Sequence, residues 1–125
     1  MTIIEYGKQP AGGGGIQSAV NALVEHKAAD IVVLDLRRIS DATDYFVIAS
    51  GTSDTHVRAL AEHVLQACAH QHHRAHHVEG LTAGRWVLID FVDFVVHVFH
   101  PSVRRFYQLE RLWADAPAME AGANA

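Results

Sequence analysis

Gly51-Thr52-Ser53-Asp54 stands where a strand-length apolar run, Tyr45-Phe46-Val47-Ile48-Ala49, gives way to helical periodicity. A corner of this kind can hold a phosphate, because the first backbone N–H groups of a helix have no partner within it. Gly51 is expected to turn the chain at positive φ, where glycine meets no steric penalty. Ser53 or Asp54 is expected to cap the helix. Nucleotidyl transfer would also need two or three carboxylates on adjacent strands to hold magnesium. Asp90 and Asp93 are the candidates, but they flank a turn and do not stand one residue apart on one strand. No glycine-rich run leads to a lysine, so a P-loop is absent. The simpler reading is a helix cap and a hairpin turn.

Histidine is the other conspicuous residue type, with ten in the chain. His70, His72, His73, His76 and His77 crowd one segment and His63 precedes them, a spacing at which imidazoles can bind zinc or nickel. The segment lacks cysteine partners and lies in a polar connection, so a solvated loop is expected, with no metal and no other cofactor. His97 lies in an apolar run and fits a buried, hydrogen-bonded or interface residue better than a general base. Cys68 falls on an apolar helical stripe, no serine occupies a Gly-x-Ser-x-Gly elbow, and Ser53 with His56 lacks a third group. No catalytic residue is expected. Trp86 with Glu79, Asp90 and Asp93 combines an aromatic anchor with acids, the mixture protein interfaces use. The competing reading puts Trp86 in the core and the acids in solvated turns.

The elements that must position these residues follow from periodicity. Ile16, Val20, Leu23 and Val24 recur at helical spacing, giving a helix to about Lys27, after a glycine-rich linker ending at Gly15. Asp30 to Asp35 and Tyr45 to Ser50 read as two strands, antiparallel because their link is short. Val57, Leu60, Ala61, Val64, Leu65 and Cys68 form one continuous helical stripe. Ala75 to Glu79 is a weaker strand candidate. Arg85 to Asp90 and Phe94 to Phe99 make a hairpin around Val92-Asp93. His100-Pro101 opens a last helix with an apolar side running to Trp113. The expected fold is α/β, a single domain with a mixed sheet and helices packed on it. Residues 1–15 are expected to form a flexible segment, 16–117 the domain and 118–125 a flexible tail.

Composition narrows the partners. With half of its 125 residues hydrophobic the chain can bury a core, and a net charge of -4 argues against a broad basic surface for nucleic acid. One cysteine rules out an internal disulfide. No stretch reaches signal-peptide or membrane-spanning character, so a cytoplasmic protein without direct membrane contact is expected.

Taken together, the motifs Asp41-Ala-Thr-Asp44-Tyr-Phe-Val-Ile-Ala-Ser-Gly-Thr-Ser-Asp54, Glu79-Gly80, Trp86 to Asp90, Val95-Val-His-Val-Phe-His-Pro101 and Tyr107-Gln-Leu-Glu-Arg-Leu-Trp113 resemble the ribosomal silencing factor, or Iojap-like, family. The resemblance runs in order from about Ile16 to Pro117. It implies a fold related to the nucleotidyltransferases but working without catalysis. It implies binding to the fourteenth protein of the large ribosomal subunit, which blocks joining of the small subunit and lowers translation when nutrients are short. Organellar relatives act in large-subunit assembly, and members can self-associate, so a homodimer is a further expectation. Trp86 then looks like the contact tryptophan and Glu79, Asp90 and Asp93 fall in the acidic surface. Tyr45 and His97 match motif positions that serve either core or contact. This chain has Val92 where the family commonly has glycine.

Overall fold

Alternation decides the sheet. The structure, a computed structural model, describes residues 2–3, 14–38, 40–107 and 118–120. Within them run β1 (Thr2–Ile3), α1 (Gly14–Glu25), β2 (Ala29–Asp35), β3 (Tyr45–Ser50), α2 (Asp54–His70), β4 (His77–Glu79), β5 (Trp86–Asp90), β6 (Phe94–Phe99), α3 (Pro101–Tyr107) and β7 (Ala118–Glu120). The strands form one mixed sheet in the order β1-β7-β2-β3-β6-β5-β4. β2 and β3 pair antiparallel and β3 and β6 parallel, while β4, β5 and β6 form an antiparallel run. This is the expected α/β architecture.

Because successive strand residues point to opposite faces, each strand contributes to two layers. On one face Val33, Val47, Ala49, Val87, Ile89, Val96 and Val98 meet the apolar stripes of α1 and α2 in the main core. Val57, Leu60, Ala61, Val64 and Cys68 of α2 are fully buried there, as their spacing requires. On the other face Leu34, Leu36, Ile48 and Phe99 form a smaller cluster, joined by Val32, Phe46, Trp86 and Val103 of α3. No helix among the described residues is long and apolar enough to cross a membrane.

Three expectations need correction. First, α1 starts at Gly14, inside the supposed linker. Gly15 is buried, and a Cβ there would lie 2.9 Å from the Phe94 ring, so glycine serves close packing and not flexibility. Second, Ala118–Glu120, expected in a loose tail, pairs antiparallel with β2 through Val32–Glu120, Val33–Met119 and Leu34–Ala118. The hydrogen-bonding edge of a buried strand is thereby satisfied. Thr2–Ile3 in turn pairs parallel with β7. Third, Gly51 is not among the glycines at positive φ. Its missing side chain matters because a Cβ would stand 2.9 Å from the backbone nitrogen of Val57. The last helix, α3, is described to Tyr107, and the apolar positions expected from Leu109 to Trp113 lie outside the described residues.

The β5–β6 hairpin turns at Val92-Asp93 as expected. Phe91 N–H donates to the Phe94 carbonyl and Asp93 N–H to the Phe91 carbonyl. Val92 carries φ 75 and is 56% exposed. A β-branched residue at positive φ is strained by roughly 1–3 kcal/mol and persists only where its surroundings fix it. Here Asp90 Oδ1 accepts from Val92 N–H at 2.7 Å, and the Thr43 hydroxyl donates to the Val92 carbonyl at 3.0 Å. Val92→Gly relieves the strain but adds unfolded-state entropy. The expected net gain is about 1 kcal/mol, read as a melting temperature roughly 4 °C higher. An unchanged or lower melting temperature would refute the strain assignment.

Candidate functional site

The glycine–hydroxyl corner resolves into structural bonds. Ser53 is the N-cap of α2, its hydroxyl accepting from His56 N–H at 3.1 Å. The His56 ring does not face Ser53. Its Nδ1 accepts from Thr52 N–H at 2.9 Å, which leaves Nε2–H to donate to the His26 carbonyl at 2.9 Å. His56 thus ties the corner to the end of α1. Ser50 is buried and its hydroxyl accepts from Arg104 at 2.9 Å. The polar side chains of the supposed phosphate corner are engaged in bonds that tie α2 and α3 to β3 and to the end of α1, beside an open pocket of about 310 Å³ lined by Ser50, Gly51, Thr52 and Arg104.

The histidine-rich segment does not converge. His63 stacks on His26 with ring centroids 3.4 Å apart, and His77 pairs with Glu79 at 3.2 Å. Among the described residues no three His, Cys, Asp or Glu side chains are placed to hold a metal ion. Cys68 is fully buried, its thiol 3.5 Å from the Gly15 carbonyl, and burial pushes its pKa up to about 12. A thiol so held is a small hydrophobe. A polar cluster at the other end of the strands has no signal in the sequence. Ser102 N–H and hydroxyl both approach His100 Nδ1, Arg85 reaches the Ser102 hydroxyl at 2.9 Å, and Asp54 lies 3.6 Å from Arg85. His100 Nε2 is 3.9 Å from Asp54, beyond hydrogen-bond length, so the group fixes the start of α3 and does not form a relay.

Trp86, Asp90, Glu79 and His97 do come together. Cross-strand register places Glu79, Leu88, His97 and Ile48 in one row, and His77, Asp90, Val95 and Phe46 in the next. Trp86 opposes Phe99, with ring centroids 4.9 Å apart. All lie on the face opposite α1 and α2, where, among the described residues, Val103 of α3 packs on the Phe99 side. Trp86, Leu88, Phe46 and Val32 remain half-buried on it. An open cleft of about 340 Å³ lies over Val95 and His97, walled by Ser40, Ala42 and Thr43 on one side and by His77, Glu79 and Asp90 on the other.

His97 organises this face. It is 4% exposed, and Trp86 Nε1–H donates to its Nδ1 at 3.1 Å. An indole N–H only donates, so Nδ1 is the acceptor and Nε2 carries the proton of the neutral ring. Burial holds the imidazole neutral, with its pKa lowered to about 4. The sequence pattern found His97 as a polar residue in an apolar strand; its bond to Trp86, eleven residues away, follows only from strand register.

Two expected contact residues lie elsewhere. Tyr45 is 1% exposed and belongs to the main core, on the helix-covered face. The Arg37 guanidinium lies over its ring, 5.3 Å from the centroid. A partner cannot reach a side chain so enclosed, and alternation explains why: Phe46, its neighbour, takes the open face. Asp93 is exposed on the hairpin turn. Its carbonyl accepts from Asp44 N–H at 3.0 Å. It lies past the end of the row that holds Asp90, so it is a rim residue at most.

Fold and face together define a small α/β domain with one sheet face packed under helices and the other half open beside acidic side chains. The family model described as "Ribosomal silencing factor during starvation" matches residues 14–125. A protein of Halalkalibacterium halodurans named "Ribosomal silencing factor RsfS" is 43% identical over 105 residues, covering 84% of this chain and 90% of that one. The mouse "Mitochondrial assembly of ribosomal large subunit protein 1" is 36% identical over 101 residues, with 78% of this chain and 44% of that protein covered. A crystal structure of a Chromobacterium violaceum protein superposes with a TM-score of 0.78 at 35% identity, over 80% of this chain and 83% of that one. The chain belongs to the ribosomal silencing factor family.

Proposed function

We propose that this protein binds the large ribosomal subunit through the open sheet face around Trp86, and that its bulk there blocks joining of the small subunit. The partner on the subunit is its fourteenth protein, and the outcome is lowered translation under nutrient limitation in the cytoplasm. The observation that carries the reading is the half-buried patch of Trp86, Leu88 and Phe46 beside Glu79 and Asp90. An apolar centre with an acidic rim suits a basic ribosomal protein, whose positive charge would speed encounter. Steric exclusion requires no nucleophile, cofactor or metal, so the protein acts as a binder and not as an enzyme. Direct contact with nucleic acid is minor, given the net charge of -4.

Co-sedimentation with separated ribosomal subunits tests this reading. The protein should pellet with large subunits only and should suppress formation of whole ribosomes when small subunits are added. Pelleting with small subunits instead, or normal joining at saturating protein, would refute it. Nucleotidyl transfer that disappears in Asp90→Asn would favour an enzyme.

A second reading, assembly of the large subunit, has support in the name of the mouse relative. Depletion would then leave immature large-subunit particles, whereas a pure silencing role leaves them complete. A homodimer of the free protein would show in sedimentation velocity, and pairing through the same face would be competed away by large subunits.

A further inference from the structure

The cleft beside Trp86 holds a feature that the packing of the fold does not use. His97 Nε2 is enclosed, with no oxygen or nitrogen of the described residues accepting from it. Since Nδ1 is taken by Trp86, Nε2 is an N–H donor that has left water without a replacement bond. Its closest ring neighbour is Phe46, edge-on at 4.6 Å. A buried donor left unsatisfied is destabilising, and native structures keep few of them. The cleft over His97 is lined by apolar Phe46, Leu88 and Val95, while Glu79 and Asp90 stand at its edge.

The opposite wall is fixed in place. Thr43 donates to the Val92 carbonyl at 3.0 Å, Asp44 N–H to Asp93, and Ala42 N–H to the Ser40 hydroxyl. Resting on the reading of this face as the ribosome-binding surface, we propose that the cleft takes an extended segment of a basic protein, which presents a carbonyl oxygen to His97 Nε2–H and a neighbouring lysine or arginine to Glu79 and Asp90. A carbonyl matches a single neutral donor set among the apolar side chains of Phe46, Leu88 and Val95. The acidic edge favours a cation beside it and disfavours a phosphate, so the segment is protein and not RNA.

The test uses the full chain and purified large ribosomal subunits in a pelleting titration. Ala42→Phe obstructs the cleft from an exposed loop position and should weaken binding about tenfold. Glu79→Lys should weaken it similarly at low salt, with a smaller effect at high salt. His97→Gln keeps an acceptor for Trp86 and a donor toward the cleft, so it should retain most binding. His97→Phe removes both, and should lose about tenfold where its melting curve shows a folded protein. If His97→Phe does not fold, Ala42→Phe and Glu79→Lys still decide. Loss of binding in Trp86→Ala with wild-type binding in Ala42→Phe and Glu79→Lys would overturn the cleft proposal and leave the face reading standing. Unchanged binding in all of these variants, Trp86→Ala included, would sink both. Binding of equal strength to deproteinised large-subunit RNA would also overturn it.

Discussion

Replacing Trp86 by alanine is expected to weaken binding to large ribosomal subunits by about 2 kcal/mol, roughly thirtyfold. The indole is half-buried in the free protein, stacked beside Phe99 and donating to His97. It remains half-buried on the same sheet face as Leu88, which leaves surface for a partner to cover. Interface tryptophans contribute most when neighbouring contacts exclude water from them. The alanine variant also leaves His97 Nδ1 without its donor, so part of any loss could arise within the free protein. Trp86→Phe separates the two effects. It keeps a ring on Phe99 but lacks the N–H, and it should recover most of the binding if burial of the aromatic dominates. Melting temperatures of all three proteins control for folding. Wild-type affinity in a folded Trp86→Ala would reject Trp86 as the anchor.

The second large effect is on stability in mild acid. His97 has its folded-state pKa lowered to about 4 by burial, while an exposed histidine in the unfolded chain titrates near 6.5. Above pH 6.5 the ring is neutral in both states and makes no pH-dependent contribution. As the pH falls from 6.5 toward 4, the unfolded chain takes up a proton that the folded protein refuses, so stability declines. Below about 4 both states are protonated and the decline ends. At 1.36 kcal/mol per unit the full loss is about 3 kcal/mol. His97→Gln cannot titrate and should lack this slope, whatever its stability at neutral pH. Urea unfolding at pH 7.5, 5.5 and 4.5 measures the difference between the two proteins. Asp35, whose carboxyl is held low chiefly by its side-chain hydrogen bond with Arg37, titrates in more acid solution and is common to both. Parallel stability curves across this range would show that His97 is not held neutral.

Much of the architecture was legible because it is written in local periodicity. The stripe from Val57 to Cys68 predicts a helix with one buried side, and the Phe94–Phe99 run predicts a hairpin strand, which the structure buries on both faces. Ser53 announced the cap, and Val92-Asp93 the turn. The motifs carried the family. Trp86, Glu79, Asp90 and His97 were singled out as residues, though not as an arrangement.

Tertiary structure decided what depends on neighbours distant in sequence. Gly15 reads as part of a flexible linker and Gly51 as a positive-φ turn, yet each is glycine because another element comes within 2.9 Å of where a Cβ would be. Composition cannot register such a distance. Tyr45 and Phe46 are adjacent and equally aromatic, and only the register of β3 against β2 and β6 sends one into the core and the other to the open face. The same register puts His97 in one row with Leu88 and Glu79, within reach of Trp86, on the wall of the cleft. Sequence by itself determined the elements, the family and the residue types on offer. Strand pairing determined which of them meet, because a side chain's face is fixed by its neighbours across the sheet and not by its neighbours along the chain.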